Sequence, residues 1–420
     1  MIELNKGYCL VLSGGGAKGV YHIGVWRALR ELGIEVDAFI GASIGAVIAA
    51  FLAQGSDEVI EEIGRSIGVG NVLALPDELT EDGEVKLDRD TLKAVRELFN
   101  SFVKNKGLDT SPFRQLIVSK LDEGLVRRSG RDLGIVTVNL SELEPEEIYL
   151  EDMEEGKLVD YLMASSAFPG FERPVIGGKK YLDGGVYDNI PYSMVRKRGY
   201  RRVIISDISG AGRNRKPEIA GSLTVYIKNS IEMGGVLNFS REFLDEFMLL
   251  GYLDTLRVFG RLKGYSYFIE PDPEAEAAFA AGGAAKGSAG GEAASVDFPE
   301  AMRHDRDRLL KYLECAASIL EVPKVKAYSY KALQIAIEAK RLAEDERIVA
   351  LIDNGTIKAT GIAKMLQNAI ANRSFDGCPY YYWRLAEKYL PRATLALAKK
   401  ALIGFYPELP AGLDYLNENY

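Results

Sequence analysis

Apolar and polar positions fall into short alternating blocks over the first part of the chain. Tyr8–Leu12 (YCLVL) is an apolar run rich in strand formers, closed by Ser13 and three glycines, and it predicts a buried strand. Over residues 20–32 the apolar side chains of Ile23, Val25, Trp26, Leu29 and Leu32 recur at helical spacing, and Gly33 supplies a helix stop. Residues 37–42 predict a second short strand, and from Ser43 the pattern turns helical through about Gln54. Strand, glycine turn, helix, strand, tight turn, helix is the alternation of an α/β layered domain.

The middle of the chain continues the theme. The β-branched runs 133–139 and 203–207 predict inner strands, and residues 146–150, after Pro145, predict a hairpin arm. Helices are expected over 157–165, 192–197 and 239–262, the last with a break at Gly251. Residues 274–295 are nearly all Ala, Gly and Glu, a composition that cannot bury a core and reads as a flexible linker or insert. Beyond it, helical patterns cover 306–320, 331–343, 356–371 and 382–402. The expected fold is a three-layer α/β/α domain with a mostly parallel central sheet over residues 1–270. A linker over 271–299 and an all-helical C-terminal region over 300–420 follow.

Composition narrows the function. The 420 residues are 47% hydrophobic and 27% charged, as in folded globular chains with more than one core. A net charge of -8 disfavours nucleic acid as the main partner, because phosphate binding needs a basic face. The three cysteines, Cys9, Cys315 and Cys378, are widely spaced, with no metal-ligand spacing and no disulfide framework, which suits a reducing compartment. The opening MIELNKGYCLVL lacks the marks of a signal peptide, and the apolar stretch AVIAAFLA is far short of the roughly 20 residues of a spanning helix. The expectation is a cytoplasmic protein, peripheral wherever it meets a membrane. The basic run Arg196, Lys197, Arg198, Arg201, Arg202, with Arg213, Arg215 and Lys216 downstream, is the feature able to attract anionic headgroups or simply to form a solvated helix end.

Three segments carry chemistry. Gly14-Gly15-Gly16-Ala17-Lys18-Gly19 joins a strand to a helix, where backbone N–H groups can stabilise an anion. It formally matches the dinucleotide fingerprint GxGxxG, but Asp37 stands at the entry of the next strand rather than at its exit. The exit holds Gly41-Ala42-Ser43-Ile44-Gly45, a GxSxG match on a strand-to-helix turn, which would project Ser43 into a cleft. A nucleophilic serine needs a base. His22 lies inside the first helix and suits packing, and His304 lies in a charge-dense, solvated run. The third segment, Tyr181-Leu182-Asp183-Gly184-Gly185-Val186-Tyr187-Asp188-Asn189-Ile190-Pro191, puts Asp183 before two glycines on a tight turn.

Together and in this order, these segments resemble the patatin-like phospholipases. SGGGAKG is similar to the family's oxyanion loop, GASIG to its nucleophile elbow and DGG to its catalytic aspartate motif. Ala164-Ser165-Ser166-Ala167-Phe168-Pro169-Gly170 also resembles a family segment. The resemblance spans about residues 7–210. It implies that Gly14, Gly15 and Gly16 donate N–H groups to the oxyanion, that Ser43 attacks an ester carbonyl, and that Asp183 accepts its proton without a histidine. Lys18, Gly19, Gly41, Gly45, Gly184 and Gly185 support those motifs. Lys18 stands where many members carry arginine, and Ser13 where plant members carry aspartate. The implied substrate is a phospholipid or other acyl-ester lipid, hydrolysed through an acyl-serine with no metal or organic cofactor. Acyl transfer to an alcohol from the same site, dinucleotide binding through GxGxxG, and a docking role for the C-terminal helices are the competing readings.

Overall fold

The computed structural model describes residues 7–75, 80–81, 84–85, 107–210, 212–216, 219–232, 234–276, 308–353, 361, 364–366, 368 and 378–419. The Ala/Gly-rich stretch from 277 onward, His304 and most of the helix expected over 356–371 lie outside them. The chain divides into two compact units, Met1–Phe259 and Gly260–Tyr420.

In the first unit an eight-stranded sheet is built from β1 (Tyr8–Leu12), β2 (Val36–Ala42), β3 (Asp132–Asn139), β4 (Glu144–Tyr149), β5 (Val175–Ile176), β6 (Lys179–Asp183), β7 (Arg202–Asp207) and β8 (Leu223–Lys228). Its order is β8-β7-β1-β2-β3-β6-β5, with β4 also paired to β3. The ladders among β8, β7, β1, β2 and β3 are parallel, and those joining β3 to β4, β3 to β6 and β5 to β6 are antiparallel. The chain moves from β1 through β2 to β3 on one side and later returns to place β7 on the other side of β1. The C-terminal end of β1 is therefore a topological switch point, where open α/β sheets form their ligand crevice.

The buried strands bury both faces, as parallel strands do. Cys9, Val11, Ala38, Ile40, Val203 and Ile205 pack on one face with Tyr192, Met194 and Val195 of the 192–197 helix. On the other face Phe39 meets Trp26 edge-on, with ring centroids 5.5 Å apart. Trp26 belongs to α1 (Val20–Glu31), which α2 (Ile44–Gln54) and α3 (Asp57–Ser66) join in this unit. The three-layer arrangement expected from the sequence is present.

A long helix, α4 (Arg241–Val258), runs unbroken through Gly251, contrary to the expected break. The glycine has a packing reason. A Cβ on Gly251 would lie 2.1 Å from the Tyr21 carbonyl oxygen, and one on Gly24 would lie 1.9 Å from that of Met248. The two helices cross with their backbones in contact, so each supplies a residue without a side chain at the crossing. Tyr21 donates its hydroxyl to buried Asp254 at 2.9 Å beside this contact.

The second unit holds helices Arg308–Ile319, Tyr330–Asp353, Pro379–Tyr389, Arg392–Phe405 and Leu409–Asn419, packed on Leu313, Leu333, Ile337, Leu385 and Leu402. The single helix expected over 382–402 is two, because Pro391 forces Leu390 into extended backbone (φ -90°, ψ 139°). The unit is not entirely helical: Phe268–Ile269 pairs in parallel with Ala327–Tyr328.

Candidate active site

Strand register brings the serine and the aspartate together. Ala42, the last residue of β2, is opposite Val136 of β3. One residue further along β3, Thr137 is opposite Asp183, the last residue of β6. Because β4 occupies the far edge of β3 over Gly134 to Asn139, β6 continues on the β2 side. The C-terminal ends of β2 and β6 thus meet end to end, and the chain turns out of the sheet there.

Ser43 has φ 54° and ψ -129°, a strained conformation for a residue other than glycine, held where β2 gives way to α2. Small neighbours permit the turn. A Cβ at Gly41 would lie 2.4 Å from the Gly45 backbone, and one at Gly45 would lie 2.3 Å from the Leu12 carbonyl oxygen. The Ser43 N–H donates to Ser165 Oγ at 2.9 Å, and that hydroxyl donates to the Val136 carbonyl at 2.7 Å.

Ser43 Oγ donates to Asp183 Oδ2 at 2.7 Å. The other carboxylate oxygen, Oδ1, accepts the Gly185 N–H at 2.7 Å. Asp183 is 4% exposed, and burial raises its pKa from 3.8 to about 6 against the opposing pull of those two hydrogen bonds. A carboxylate so placed is ionised at neutral pH yet basic enough to take a proton. Gly184 lets this turn lie against β3, since a Cβ there would be 2.0 Å from the Val136 carbonyl oxygen.

The glycine loop follows β1, which pairs with β2 on the edge away from β3. Gly15, Gly16 and Gly19 line one cavity with Ser43 and Asp183. Among the described residues no hydrogen bond engages the Gly15 or Gly16 amide. The Gly14 amide differs from the expectation: it donates to Asn189 Oδ1 at 3.0 Å, while Asn189 Nδ2 donates to the Gly14 carbonyl at 3.3 Å. Asn189, 1% exposed, thereby fixes the Gly14–Gly15 peptide, and in a trans peptide the Gly15 N–H must point away from it. Lys18 is buried and lies outside the cavity lining.

His22 plays no part beside the serine. Fully buried, it lies 2.8 Å through Nε2 from the Ser13 carbonyl and 2.7 Å through Nδ1 from Ser206 Oγ. The carbonyl can only accept, so Nε2 carries the proton. Burial lowers the His22 pKa to about 4, keeping it neutral. It holds the base of the glycine loop.

The cavity measures about 110 Å³. Apart from Ser43, Ser166, Asp183, Asn189 and the glycines, its lining is apolar, with Ile23, Val47, Phe51, Ile63, Phe113 and Phe239 among the walls. Among the described residues no three His, Cys, Asp or Glu side chains form a metal-holding group, and no helix is long and apolar enough to cross a membrane.

Much of the basic run is engaged by neighbours in the fold. Lys197 pairs with Glu147, Arg198 with Glu151 at 2.6 Å and Asp132 at 3.4 Å, and Arg202 covers the Tyr8 ring at 4.3 Å. These residues precede or begin β7, and near its far end Ser206 neighbours Leu12 at the site. The six-residue strand separates them from Ser43 by about 20 Å. Exposed Arg213, Arg215 and Lys216 lie at the site's end, where the Arg213 N–H donates to the Gly185 carbonyl at 2.9 Å.

Residues 10–196, which carry the elbow and the paired carboxylate, match the family model described as patatin-like phospholipase. The patatin-like phospholipase domain-containing protein ZK370.4 of Caenorhabditis elegans is 28% identical over 219 residues, which is 51% of this chain and 14% of that protein. The lysophospholipase NTE1 of Cryptococcus neoformans var. neoformans serotype D (strain JEC21) is 26% identical over 200 residues, 47% of this chain and 11% of that protein. The chain therefore matches only a small part of the length of these relatives. The crystal structure of VipD from Legionella pneumophila superposes with a TM-score of 0.40 and 14% identity, covering 97% of this chain and 90% of that one.

Proposed function

We propose that the Met1–Phe259 unit hydrolyses acyl esters of glycerophospholipids, lysophospholipids included, through an acyl-serine intermediate. The observation that carries this reading is the 2.7 Å hydrogen bond from Ser43 Oγ to Asp183 at the wall of an apolar cavity. The lysophospholipase named among the relatives supports the substrate class.

The acyl chain fills the apolar cavity, gaining about 0.8 kcal/mol per buried methylene, and sets its ester carbonyl at Ser43. Ionised Asp183 accepts the Ser43 proton as Oγ attacks the carbonyl carbon. Negative charge gathers on the carbonyl oxygen and is met by the Gly15 and Gly16 amides, each such donor being worth about 3–4 kcal/mol in the transition state. Collapse expels the alcohol, which leaves with the proton from Asp183. Water then attacks acyl-Ser43 by the same route, releasing the fatty acid and restoring the hydroxyl. The lipid is met at a membrane surface by a peripheral protein of the cytoplasm.

Mass spectrometry of products from a mixed glycerophospholipid extract tests the reading. Free fatty acid and deacylated lipid should form with the wild type and not with Ser43→Ala. Acyl groups passing to added glycerol or lysolipid instead of water would make the protein an acyltransferase. Unchanged hydrolysis by Ser43→Ala would discard the site.

A further inference from the structure

The cavity has a direction. On α2 the residues that line it are Ile44, Val47, Ile48 and Phe51, which recur at the spacing of one helix face. Exposure agrees: Val47 and Ile48 keep 3% and Phe51 2% of their surface, whereas Ala46, Ala49, Ala50, Leu52 and Ala53 on the same helix keep none. The cavity is therefore a slot that follows α2 from Ser43 to Phe51. Ile60 and Ile63 line it from α3, and Phe113 and Leu116 from the Ser111–Lys120 helix.

The two ends of the slot differ. At the Ser43 end it is lined by Phe168 and Leu237, which are 37% and 40% exposed. Both sit beside the catalytic groups: the Ala167 carbonyl accepts the Asp183 N–H at 3.0 Å, and the Val236 carbonyl accepts the Ala17 N–H of the glycine loop at 2.8 Å. At the Phe51 end the helices are tied together. Gln54, the last residue of α2, donates through Nε2 to Ser56 Oγ at 2.7 Å, just before α3, and to the Lys120 carbonyl at 3.3 Å. Its Oε1 accepts the Asp122 N–H at 2.6 Å, and Lys120 pairs with Glu62 at 3.2 Å. The slot opens at the serine and is shut beyond Phe51.

Helix rise turns this into a length. Residues 43 to 51 advance about 12 Å, at about 1.5 Å each. An extended hydrocarbon advances about 1.25 Å per carbon, from bonds of about 1.5 Å at a tetrahedral angle. Building on the acyl-hydrolase reading, we propose that the slot measures the acyl chain: it holds about ten carbons counted from the ester carbonyl, with Phe51 as the stop. Carbons further out meet no wall of the slot and add nothing to binding. Val47, one helical turn from Ser43, stands about six carbons deep on the same scale.

The test follows kcat/KM along the p-nitrophenyl esters of butyrate, hexanoate, octanoate, decanoate and dodecanoate, each kept below its aggregation limit. It uses the whole chain, and every protein is normalised to its own butyrate. The wild type should gain about fourfold per added methylene, the value of burying one, as far as the decanoate, and nothing from there to the dodecanoate. Val47→Phe puts a ring across the slot and should stop the climb near the hexanoate, lowering the normalised decanoate value about 100-fold. Phe51→Ala removes the stop and should still be climbing at the dodecanoate. Phe51→Leu, a milder change that guards against misfolding of the alanine variant, should likewise gain between decanoate and dodecanoate. A wild-type profile that is flat or climbs unbroken to the dodecanoate, or a break that none of these variants moves, overturns the proposal while leaving the hydrolase reading in place. A wild type that cleaves none of the esters, or Ser43→Ala cleaving them, overturns that reading and this proposal with it.

Discussion

Replacing Asp183 with asparagine should abolish hydrolysis and, at neutral and higher pH, stabilise the protein. Asparagine keeps the size of the side chain and one acceptor for the Gly185 N–H, and its NH2 group can donate to the Ser43 hydroxyl, but it cannot ionise. The carboxyl of Asp183 titrates near 6 in the folded chain against 3.8 for the ordinary side chain, because burial penalises its charge. The folded state therefore holds this proton more tightly than the unfolded state does. That contribution to stability is fully present below about pH 3.8 and is lost as pH rises through about 6. The full difference is about 3 kcal/mol, and about 2 kcal/mol of it falls between roughly pH 4.5 and 8. Asp188, raised to about 6 by burial, titrates in both proteins and drops out of the comparison. Thermal unfolding at a series of pH values measures the gap between Asp183→Asn and wild type. The gap should widen by about 4 °C from roughly pH 4.5 to 8 in a unit of this size. Any constant offset from repacking is irrelevant. A gap that stays flat or narrows as pH rises would refute the reasoning.

The same titration governs catalysis: kcat/KM should fall tenfold per pH unit below about 6 as Asp183 protonates, and a profile flat to pH 4 would show that another group is the base. Asn189→Ala frees the Gly14–Gly15 peptide and should lower kcat about 100-fold with KM nearly unchanged, because only the transition state uses the Gly15 amide. Steady-state kinetics checks it, and a rise in KM alone would assign Asn189 to substrate binding. Gly251→Ala puts a methyl 2.1 Å from the Tyr21 carbonyl oxygen and should cost about 3 kcal/mol in chemical denaturation, where unchanged stability would mean the helices separate freely.

What could be read in the sequence was what is local. Tyr8–Leu12, the turn at Ser43 and the Asp183 turn are each specified by neighbours in the chain, apolar residues before and small residues after. The structure places them where their spacing suggested. The pairing of Ser43 with Asp183 depends on register across β3, which no short pattern encodes; the resemblance to a family supplied it. Asn189 and Ser165 escaped because their partners lie elsewhere in the chain: Asn189 reaches back to Gly14, and Ser165 to Ser43. In the sequence they are single polar residues with no spacing pattern of their own. The same holds at Gly251, since a glycine that breaks a helix and one that lets two helices touch look alike until the second helix is in place. The break at Pro391 was local and legible, but the apolar periodicity on either side outweighed it.

Covalent capture tests most directly whether Ser43 is a nucleophile activated by Asp183. Incubated with a fluorophosphonate, the wild type should gain one adduct, mapped to Ser43 by peptide mass spectrometry. Ser43→Ala should gain none, and Asp183→Asn should react at least about 100-fold more slowly, the scale of a lost general base. An adduct on another residue, or labelling of Asp183→Asn at the wild-type rate, would contradict it.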